Sequence, residues 1–326
     1  MLDLRKPGQS IVTTQRSEED KVEILSGLFK GKTTGAPICM IIWNKDQRSS
    51  DYEKFQTTPR PGHADFPASV KYARLNDYRG GGRFSGRITA AFVMAGSLAL
   101  KLLQQSLGIQ VVAYTLEIGG IRADTSNLSR EKIIAGRYTN EVRCPDIEAA
   151  EKMKELVVKE RGRGDSLGGI VECMVLNVPA GLGEPVFSSL ESEISKSIFS
   201  IPAVKGIEFG SGFAGTRTRG SQNNDPYTLS ASGEVITKTN NSGGILGGLS
   251  TGMPIVFRTA FKPASSIATP QSTLDISSMQ EKELIVPGRH DPTVVPRAVP
   301  VVECITACAL ADLAVRGGFI SRVLKN

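Results

Sequence analysis

The sequence predicts an α+β fold that packs sheet and helix layers into a single domain. Strand-like and helix-like segments alternate along the chain without a regular β-α-β rhythm, which indicates a layered sheet-and-helix sandwich. No linker rich in Pro and Ser divides the chain, so residues 1–326 form one predicted domain. Two glycine-rich turns, at 77–83 and 243–252, suggest an internal duplication within it.

Apolar residues at helical spacing predict four helices. Ser85 can cap the first, and the small residues around Gly96 predict that this helix packs closely against a neighbour. Helices at 146–161 and 189–200 follow, and an apolar helix ends the chain. Apolar or alternating runs predict strands at 37–43 (buried), 109–118, 169–178, 204–209 and 255–261. Polar or turn-rich segments predict long loops at 46–61, 210–227 and 286–300.

The composition suits an anionic partner and argues against a metal centre. A formal net charge of +6 fits nucleic acid, a membrane surface or a phosphorylated small molecule. The chain lacks the Lys/Arg tract of a nucleic-acid-binding tail, and its arginines are instead scattered among glycines. Five cysteines without a CxxC spacing and only two histidines exclude the usual zinc and disulfide patterns. The cysteines are therefore predicted to be reduced thiols in a cytosolic protein.

Neither end of the chain predicts a membrane segment. The first residues contain no apolar run that would serve as a signal peptide. The only membrane-like stretch lies at 298–315, and it contains Pro300, Glu303 and Asp312. Because this stretch barely reaches the length that spans a bilayer, we predict a buried core helix.

The segment 60–87 concentrates groups that bind anions. It contains RPGHAD at 60–65 and DYRGGGRFSGR at 77–87, with five arginines within 28 residues. A guanidinium presents a planar set of donors that matches phosphate and carboxylate oxygens. Glycines let backbone N–H groups approach an anion, and the helix start that follows adds a positive dipole end. With His63 as a titrating group and Asp65 or another carboxylate to fix its tautomer, the pattern predicts a catalytic anion site rather than a solvated basic loop.

Two further segments carry side chains capable of chemistry. Residues 288–292 (GRHDP) place the second histidine beside an arginine and Asp291, as acid–base catalysis requires. Residues 262–266 (KPASS) combine a proline turn with hydroxyls and an ammonium that could hold a phosphate or an amide-rich ring. From the residues alone, a capped loop and an ordinary Ser-rich connection remain open alternatives.

Three apparent nucleotide or RNA motifs are rejected. Residues 210–215 match GxGxxG after a strand, but a polar loop follows instead of the helix that a dinucleotide site needs. A complete Walker A loop is absent, since the GKT at 31–33 has Ser26 where the first glycine of the loop should lie. The RGGGR at 79–83 occurs once and lacks the interleaved aromatic residues of an RNA-binding element.

Taken in order, the motifs of the whole chain resemble those of chorismate synthases. The resemblance runs nearly end to end, and the series of motifs is highly specific. The matching segments are TTQR at 13–16, DQRS at 46–49, RPGHAD at 60–65, DYRGGGR at 77–83, GDSLG at 164–168, PAGLGEP at 179–185, RGS at 219–221, KPASS at 262–266 and GRHDP at 288–292.

The resemblance implies a fold and an activity. The family fold is a β-α-β sandwich, commonly assembled as a homotetramer. Its members are lyases that convert 5-enolpyruvylshikimate 3-phosphate to chorismate by 1,4-elimination of phosphate and a ring proton, the last common step of the shikimate pathway to aromatic amino acids. The reaction needs reduced FMN although it involves no net oxidation, and NADPH is a candidate reductant. A cytoplasmic enzyme that binds neither nucleic acid nor membranes is therefore expected.

The resemblance also implies residue roles, with no metal among them. His63 would help to stabilise the reduced, anionic flavin, and Asp291 would assist loss of the ring proton. The substrate would be bound by Arg5, Arg60, Ser85, Arg87 and Arg289, and Arg5 would also contact NADP. The flavin would contact Arg83, Phe84, Ser85, Pro202, Ala203, Gly247, Lys262, Pro263, Ala264, Ser265, Ser266 and Arg289.

The sequence departs from the family pattern at its start. In the family, a strand and a Gly-Glu-Ser-His-Gly loop precede these motifs, and the histidine of that loop is thought to protonate the leaving phosphate. Lys6 and Ile11 stand where the family often has arginine, and Phe84 replaces a common small residue. Three hypotheses follow: a chorismate synthase whose sequence lacks its true start, a binding protein that lost catalysis but keeps affinity for FMN or substrate, and an RNA-binding protein that uses the Arg/Gly loop.

Overall fold

A computed structural model describes residues 1–14, 20–44, 49–286, 288, 290–321 and 323. Its α-helices are α1 (Leu2–Arg5), α2 (Asp65–Lys71), α3 (Thr89–Leu107), α4 (Arg130–Gly136), α5 (Ile147–Gly162), α6 (Leu190–Ile198), α7 (Gly212–Gly215), α8 (Gly220–Asn223) and α9 (Val295–Arg316). Short 3-10 helices lie at Ser49–Gln56, Arg79–Phe84 and Gly86–Ile88. The strands are β1 (Val22–Ser26), β2 (Leu28–Phe29), β3 (Lys32–Thr33), β4 (Cys39–Ile42), β5 (Gln110–Ile118), β6 (Ile121–Arg122), β7 (Gly169–Leu176), β8 (Val204–Phe209), β9 (Tyr227–Leu229), β10 (Val235–Thr237), β11 (Ile245–Leu246), β12 (Leu249–Ser250), β13 (Ile255–Phe261), β14 (Gln271–Asp275) and β15 (Gln280–Leu284).

A five-stranded antiparallel sheet forms the main β layer, with the strand order β6-β5-β7-β13-β8. The central strand β7 pairs with β5 on one side and β13 on the other, so that Val171 lies opposite both Thr115 and Thr259. All four strands predicted between residues 109 and 261 lie in this sheet, which confirms those predictions. Together with the helices packed on the sheet, they confirm the α+β class.

Helix α9 lies in the core and packs against α3, α6, β5 and β7. Helix α6 contributes Leu190, Ile194 and Ile198, which are fully buried and form the stripe that their spacing predicted. The buried carboxylate of Glu303 on α9 accepts a hydrogen bond from the hydroxyl of Tyr138 at 2.8 Å, which compensates part of the cost of burying it. A rigid, well-packed α9 carries the residues of the site at its N-terminal end.

Within the part of the chain that the structure describes, two helical segments are long and apolar enough to cross a membrane by length and composition alone, Gly86–Leu107 and Val295–Arg316. The protein itself buries 72% of the apolar window in Val295–Arg316, which confirms the core helix predicted for 298–315. It buries 28% of the window in Gly86–Leu107. The expectation that 298–315 is the only membrane-like stretch was therefore wrong, because the helix after Ser85 is also apolar over a spanning length.

Helix α3 approaches α9 most closely at Gly96. A Cβ atom placed there would lie 2.2 Å from Cys304 Cβ and 2.4 Å from the Cys304 carbonyl oxygen. These separations are far below van der Waals contact, so only glycine fits between the two backbones. The close packing predicted from the small residues of this helix is confirmed.

The substitution Gly96→Ala is expected to destabilise the protein by roughly 1–3 kcal/mol, because the new methyl group must displace the backbone of α9. Gly162→Ala at the end of α5 is the matched control, since a Cβ there meets nothing within 4 Å. The control should leave the free energy of unfolding unchanged or slightly raised. Denaturant unfolding measures both values, and equal midpoints for the two variants would contradict the close contact between α3 and α9.

Several local predictions were wrong. Only Cys39–Ile42 of the predicted buried strand at 37–43 is a strand, and the neighbouring Trp43 is 60% exposed. The reason is that β4 belongs to a two-stranded sheet with β1, which leaves much of its apolar surface in contact with solvent. The predicted loop at 46–61 includes the 3-10 helix Ser49–Gln56, and the predicted loop at 210–227 includes α7 and α8.

The last predicted loop, at 286–300, ends earlier than expected because α9 already begins at Val295. Pro296 lies in the first turn, where a helix leaves its N–H groups without partners and a missing N–H costs nothing. Pro300 lies inside the helix, where proline is normally unfavourable. Because proline normally interrupts a helix, the start predicted from these two prolines was too late.

Candidate active site

A cavity of about 530 Å³ opens between the glycine turn before α3, the loop after α6, the loop after β13 and the N-terminal end of α9. It contains most of the predicted site residues. Those lining it are Arg5, Arg60, His63, Arg83, Phe84, Ser85, Arg87, Pro202, Ala203, Lys262, Ala264, Ser265, Ser266 and Asp291. Residues separated by up to 286 positions in sequence thus share one site.

Two predicted residues do not line the cavity, and one lies outside the described residues. Gly247 is in the turn between β11 and β12, and its neighbour Gly248 packs on Ser189 at the N-terminal end of α6. The cavity lies at the other end of α6, beside Phe199, so this chain does not bring Gly247 to it. Pro263 lies between two lining residues without lining the cavity itself. Arg289 is not among the residues that the structure describes.

The glycine turn forms one wall of the cavity. Gly80, Gly81 and Gly82 all have positive φ, and a Cβ at Gly82 would lie 2.2 Å from the carbonyl oxygen of Asp77. Glycine is therefore required for the sharp reversal that leads into α3. Ser85 ends the turn and accepts the backbone N–H of Arg87 at 3.2 Å, so it caps the 3-10 helix Gly86–Ile88. The predicted cap of the long helix was therefore wrong in position, because α3 begins at Thr89 and has no side-chain cap.

His63, Asp65 and Arg60 form a compact triad beside this wall. Asp65 Oδ1 lies 2.7 Å from His63 Nδ1, a contact that favours a proton on this nitrogen, and Arg60 Nη2 lies 3.0 Å from the same atom. The Arg60 guanidinium donates to both oxygens of Asp65 at 2.8 Å. Burial alone would raise the pKa of Asp65, but its hydrogen bonds with Arg60 and His63 and their charges outweigh burial and hold the pKa well below the usual range.

The contacts of Arg60 bear on its predicted role. Its side chain is 6% exposed, lies 4.3 Å from the ring centroid of Phe55 and donates to Ser266 Oγ at 3.1 Å. Together with the bonds to Asp65, these contacts occupy much of the guanidinium. Arg60 therefore joins the 60–65 segment to the 262–266 loop, and its predicted contact with the substrate stays a prediction.

Arg5 is engaged in a similar way. It is 2% exposed, forms an ion pair with Asp20 at 2.8 Å and donates to Thr89 Oγ1 at 3.2 Å. It also donates to the carbonyl oxygens of Gly86 and Arg87 at 3.2 and 3.3 Å. This arginine thus holds the turn that presents Arg87, whose own guanidinium donates to the Gly80 carbonyl at 3.1 Å. Its predicted contacts with substrate and NADP remain predictions.

Asp291 lies at the N-terminal end of α9. Its Oδ1 atom accepts the backbone N–H of Thr14 at 2.8 Å, and its Oδ2 atom pairs with Arg297 Nη1 at 2.5 Å. The side chain is 14% exposed. A carboxylate held on both oxygens has a fixed direction, which a general base needs.

Lys262 lines the cavity directly after the end of β13. Burial, and secondarily the charge of Lys205, lowers the pKa of its ammonium group below the ordinary value for lysine. The loop that follows packs on the 60–65 segment, since a Cβ at Gly62 would lie 3.4 Å from Ser265 Cβ.

Cations dominate the lining of the cavity among the described residues. The six cationic side chains are Arg5, Arg60, Arg83, Arg87, Lys262 and Arg297, and the one carboxylate is Asp291. Asp20 and Asp65 pair with two of the arginines from outside the lining. The described residues contain no group of three or more His, Cys, Asp and Glu side chains that could hold a metal ion. Positive charge therefore exceeds negative charge in the cavity, which favours anionic ligands.

Several residues that line the cavity have no role predicted from the sequence. These include Thr14, Thr89, Arg297 and the segment 199–201, and His290 of the predicted GRHDP motif lines the cavity as well. Arg297 was visible as a neighbour of the GRHDP motif, but its pairing with Asp291 depends on the first turn of α9, which was predicted as loop. The contact of Thr14 joins residues 277 positions apart, and nothing in the local sequence indicates it.

The fold and this cavity define an α+β protein with a deep, cation-lined site for small anions, in which an imidazole and a carboxylate lie within the same cavity. The family profile described as chorismate synthase matches residues 1–315. The chain belongs to the chorismate synthase family.

Individual relatives agree with the family match. The chain is 53% identical over 326 residues to a chorismate synthase of Dehalococcoides mccartyi, covering 100% of this chain and 88% of the relative. It is 54% identical over 316 residues to that of Korarchaeum cryptofilum, covering 97% and 86% of the two chains. A crystal structure of a chorismate synthase superposes with a TM-score of 0.70 at 30% identity, covering 92% of this chain and 79% of the other. The predicted family and fold are thereby confirmed.

Proposed function

We propose that this protein is a lyase of aromatic amino-acid biosynthesis that converts 5-enolpyruvylshikimate 3-phosphate to chorismate and inorganic phosphate, with reduced FMN bound. The observation that carries the proposal is the cavity that joins six cations to Asp291 and to the His63–Asp65 pair. The substrate is a phosphate ester with carboxylates, and FMN carries a phosphate. An excess of arginine is the lining that such ligands require.

The described residues fit a flavin beside a small substrate. A volume of about 530 Å³ is within the range of small-molecule sites, roughly 300–1,000 Å³. Residues 83–85 on one wall and 202–203 with 262–266 on another would hold the flavin. The chemistry that reduced FMN would supply when bound is transient electron donation. The electron returns to the flavin, which agrees with a reaction that involves no net oxidation.

The chain's own residues have distinct proposed roles. Arg87 and Arg83 bind anionic oxygens of the ligands, with Arg289 as a further ligand. His63 holds a proton on Nδ1 against Asp65 and places its imidazole beside the flavin. Asp291 accepts the ring proton as phosphate leaves. Arg60 and Arg5 contribute positive charge and hold these groups in place.

The wider setting of the enzyme is also proposed. The family resemblance suggests a cytoplasmic homotetramer, with NADPH as a source of reducing equivalents for FMN. Nothing in the geometry of the cavity suggests nucleic acid as a ligand, since its residues enclose a space suited to small molecules.

An anaerobic assay tests the proposed function. The 326-residue chain is mixed with photoreduced FMN and substrate, and chorismate and inorganic phosphate are quantified over time. Equimolar formation of both products, dependent on reduced FMN and absent with oxidised FMN, is expected. Binding of FMN and substrate without any product would contradict the proposal and indicate a binding protein without catalysis. RNA binding that FMN does not displace would support the Arg/Gly-loop alternative.

A further inference from the structure

The carboxylate of Asp291 is held by two groups that the proposed reaction does not otherwise use. Thr14 donates its backbone N–H to Oδ1, and Arg297 pairs with Oδ2. A carboxylate on a free side chain rotates about its last bond, and each rotation changes the direction of its lone pairs. These two contacts restrict that rotation. The remaining lone pairs therefore keep a constant direction relative to the cavity that Asp291 lines.

Arg297 is itself firmly positioned. It lies in the first turn of α9, between buried neighbours such as Val295 and Val299, and its side chain is 18% exposed. Its Nε atom donates to the carbonyl oxygen of Arg5 at 3.0 Å. One planar guanidinium thus joins Asp291 to the N-terminal segment that also supplies Thr14. Arg297 thus holds the Asp291 carboxylate and also the N-terminal segment whose Thr14 makes the second contact to that carboxylate.

The geometry distinguishes this role from that of an anion ligand. A guanidinium that binds a substrate phosphate presents its planar fork to the ligand. In Arg297, Nη1 is directed to Asp291 and Nε to a backbone carbonyl, so two of the three nitrogen atoms bind the protein. General bases in enzymes are commonly oriented by a third group in this way.

We propose that Arg297 is a positioning residue that sets the direction of the Asp291 carboxylate for proton removal. The inference rests on the proposed function, in which Asp291 accepts the ring proton. If the carboxylate is present but misdirected, the residues that bind the substrate are unchanged. Loss of Arg297 should therefore slow the proton-transfer step while substrate affinity is retained.

The test compares Arg297→Met and Arg297→Lys with Arg316→Met. Arg316 is the matched control, since it lies on the same helix and pairs with Asp312 at 3.3 Å on the exposed surface. Each variant is assayed anaerobically with reduced FMN for kcat and KM. Each is also assayed with substrate deuterated at the ring carbon that loses its proton, and substrate affinity is measured by equilibrium binding. Unfolding midpoints show whether each variant is folded.

Arg297→Met is expected to lower kcat by roughly 10–100-fold, a part of the contribution of a general base. The deuterium isotope effect on kcat should increase, because proton transfer becomes more fully rate-limiting, while the dissociation constant of the substrate stays within about threefold of the wild type. Arg297→Lys restores charge without the planar fork and should fall between Arg297→Met and the wild type. Arg316→Met should match the wild type.

Other outcomes overturn the inference. A weaker substrate affinity with unchanged kcat would show that Arg297 is a substrate ligand. A lower kcat with an unchanged isotope effect would show a structural role only. If Arg297→Met does not fold, Arg297→Lys decides, and wild-type kinetics in that variant would overturn the proposal. If the wild-type chain turns over and the Arg297 variants have the same kinetics, this inference alone is refuted. If the wild-type chain shows no turnover, the inference is refuted together with the proposed function.

Discussion

Replacing Asp291 with asparagine is expected to lower kcat for chorismate formation by roughly 10²–10⁴-fold, the range that a general base contributes. Asparagine has nearly the same shape but cannot accept a proton at neutral pH. Its amide also offers one oxygen where the carboxylate offers two, so it can satisfy only one of its two donors, Thr14 and Arg297. We therefore expect the loss of activity to exceed that of Arg297→Met.

The measurement is steady-state turnover with reduced FMN, paired with equilibrium binding of the substrate. Substrate binding should persist in Asp291→Asn, because the arginines that line the cavity are unchanged. Asp312→Asn is the matched control, since it changes a carboxylate on the exposed surface of α9. A variant with wild-type kcat would show that Asp291 is not the base, and the assignment of the ring proton would have to be abandoned.

Replacing Arg60 with methionine is expected to lower the free energy of unfolding of the ligand-free protein by roughly 3–5 kcal/mol. The guanidinium is 6% exposed and bonds both oxygens of Asp65, whose side chain is 12% exposed. Removing the arginine leaves a poorly compensated carboxylate whose side chain is largely buried. Such a loss is more costly than the loss of an exposed pair, since water cannot replace the missing partner.

Two further variants separate charge from packing in this experiment. Arg79→Met removes an exposed pair with Asp77, whose side chains are 57% and 58% exposed, and should leave stability nearly unchanged. The double variant Arg60→Met with Asp65→Leu removes both charges and should recover much of the lost stability. Denaturant unfolding at constant ionic strength gives all three values. An Arg60→Met protein as stable as Arg79→Met would contradict the buried pair.

The effect of Arg60→Met should also depend on pH. Asp65 has a lowered pKa in the folded protein, so it contributes stability that is present above its unfolded pKa of about 3.9. This contribution is lost as the pH falls through the lower folded value. The difference in stability between wild type and variant should therefore be large near neutral pH and shrink below about pH 4. A difference that is constant over this range would indicate lost packing instead of a lost ion pair.

The elements that the sequence predicted well are those whose own residues decide their structure. Leu190, Ile194 and Ile198 repeat at helical spacing, and the strands of the central sheet are apolar runs bounded by turns. The hairpin of β14 and β15 was missed because QSTLD and QEKEL are polar and lack an apolar alternation. Helix α2 was missed because Pro67 and the short length of the helix resemble a loop.

The sequence predicted which residues belong to the candidate site more completely than it predicted how those residues are arranged. The motifs identified Arg60, His63, Asp65 and Asp291 as residues of interest, and the pairing of His63 with Asp65 follows from a separation of two positions. Long-range pairings were not predictable in this way. The packing of α1, α3 and α9 determines which carboxylate each arginine contacts. This packing gives Arg5 and Arg297 their partners.

A crystal structure of the protein grown anaerobically with FMN and 5-enolpyruvylshikimate 3-phosphate tests the central claim most directly. The account predicts the flavin ring in the cavity of about 530 Å³, between residues 83–85 and 262–266, with the substrate's ring carbon beside the Asp291 carboxylate. FMN bound elsewhere, or a substrate whose ring lies away from Asp291, would contradict it.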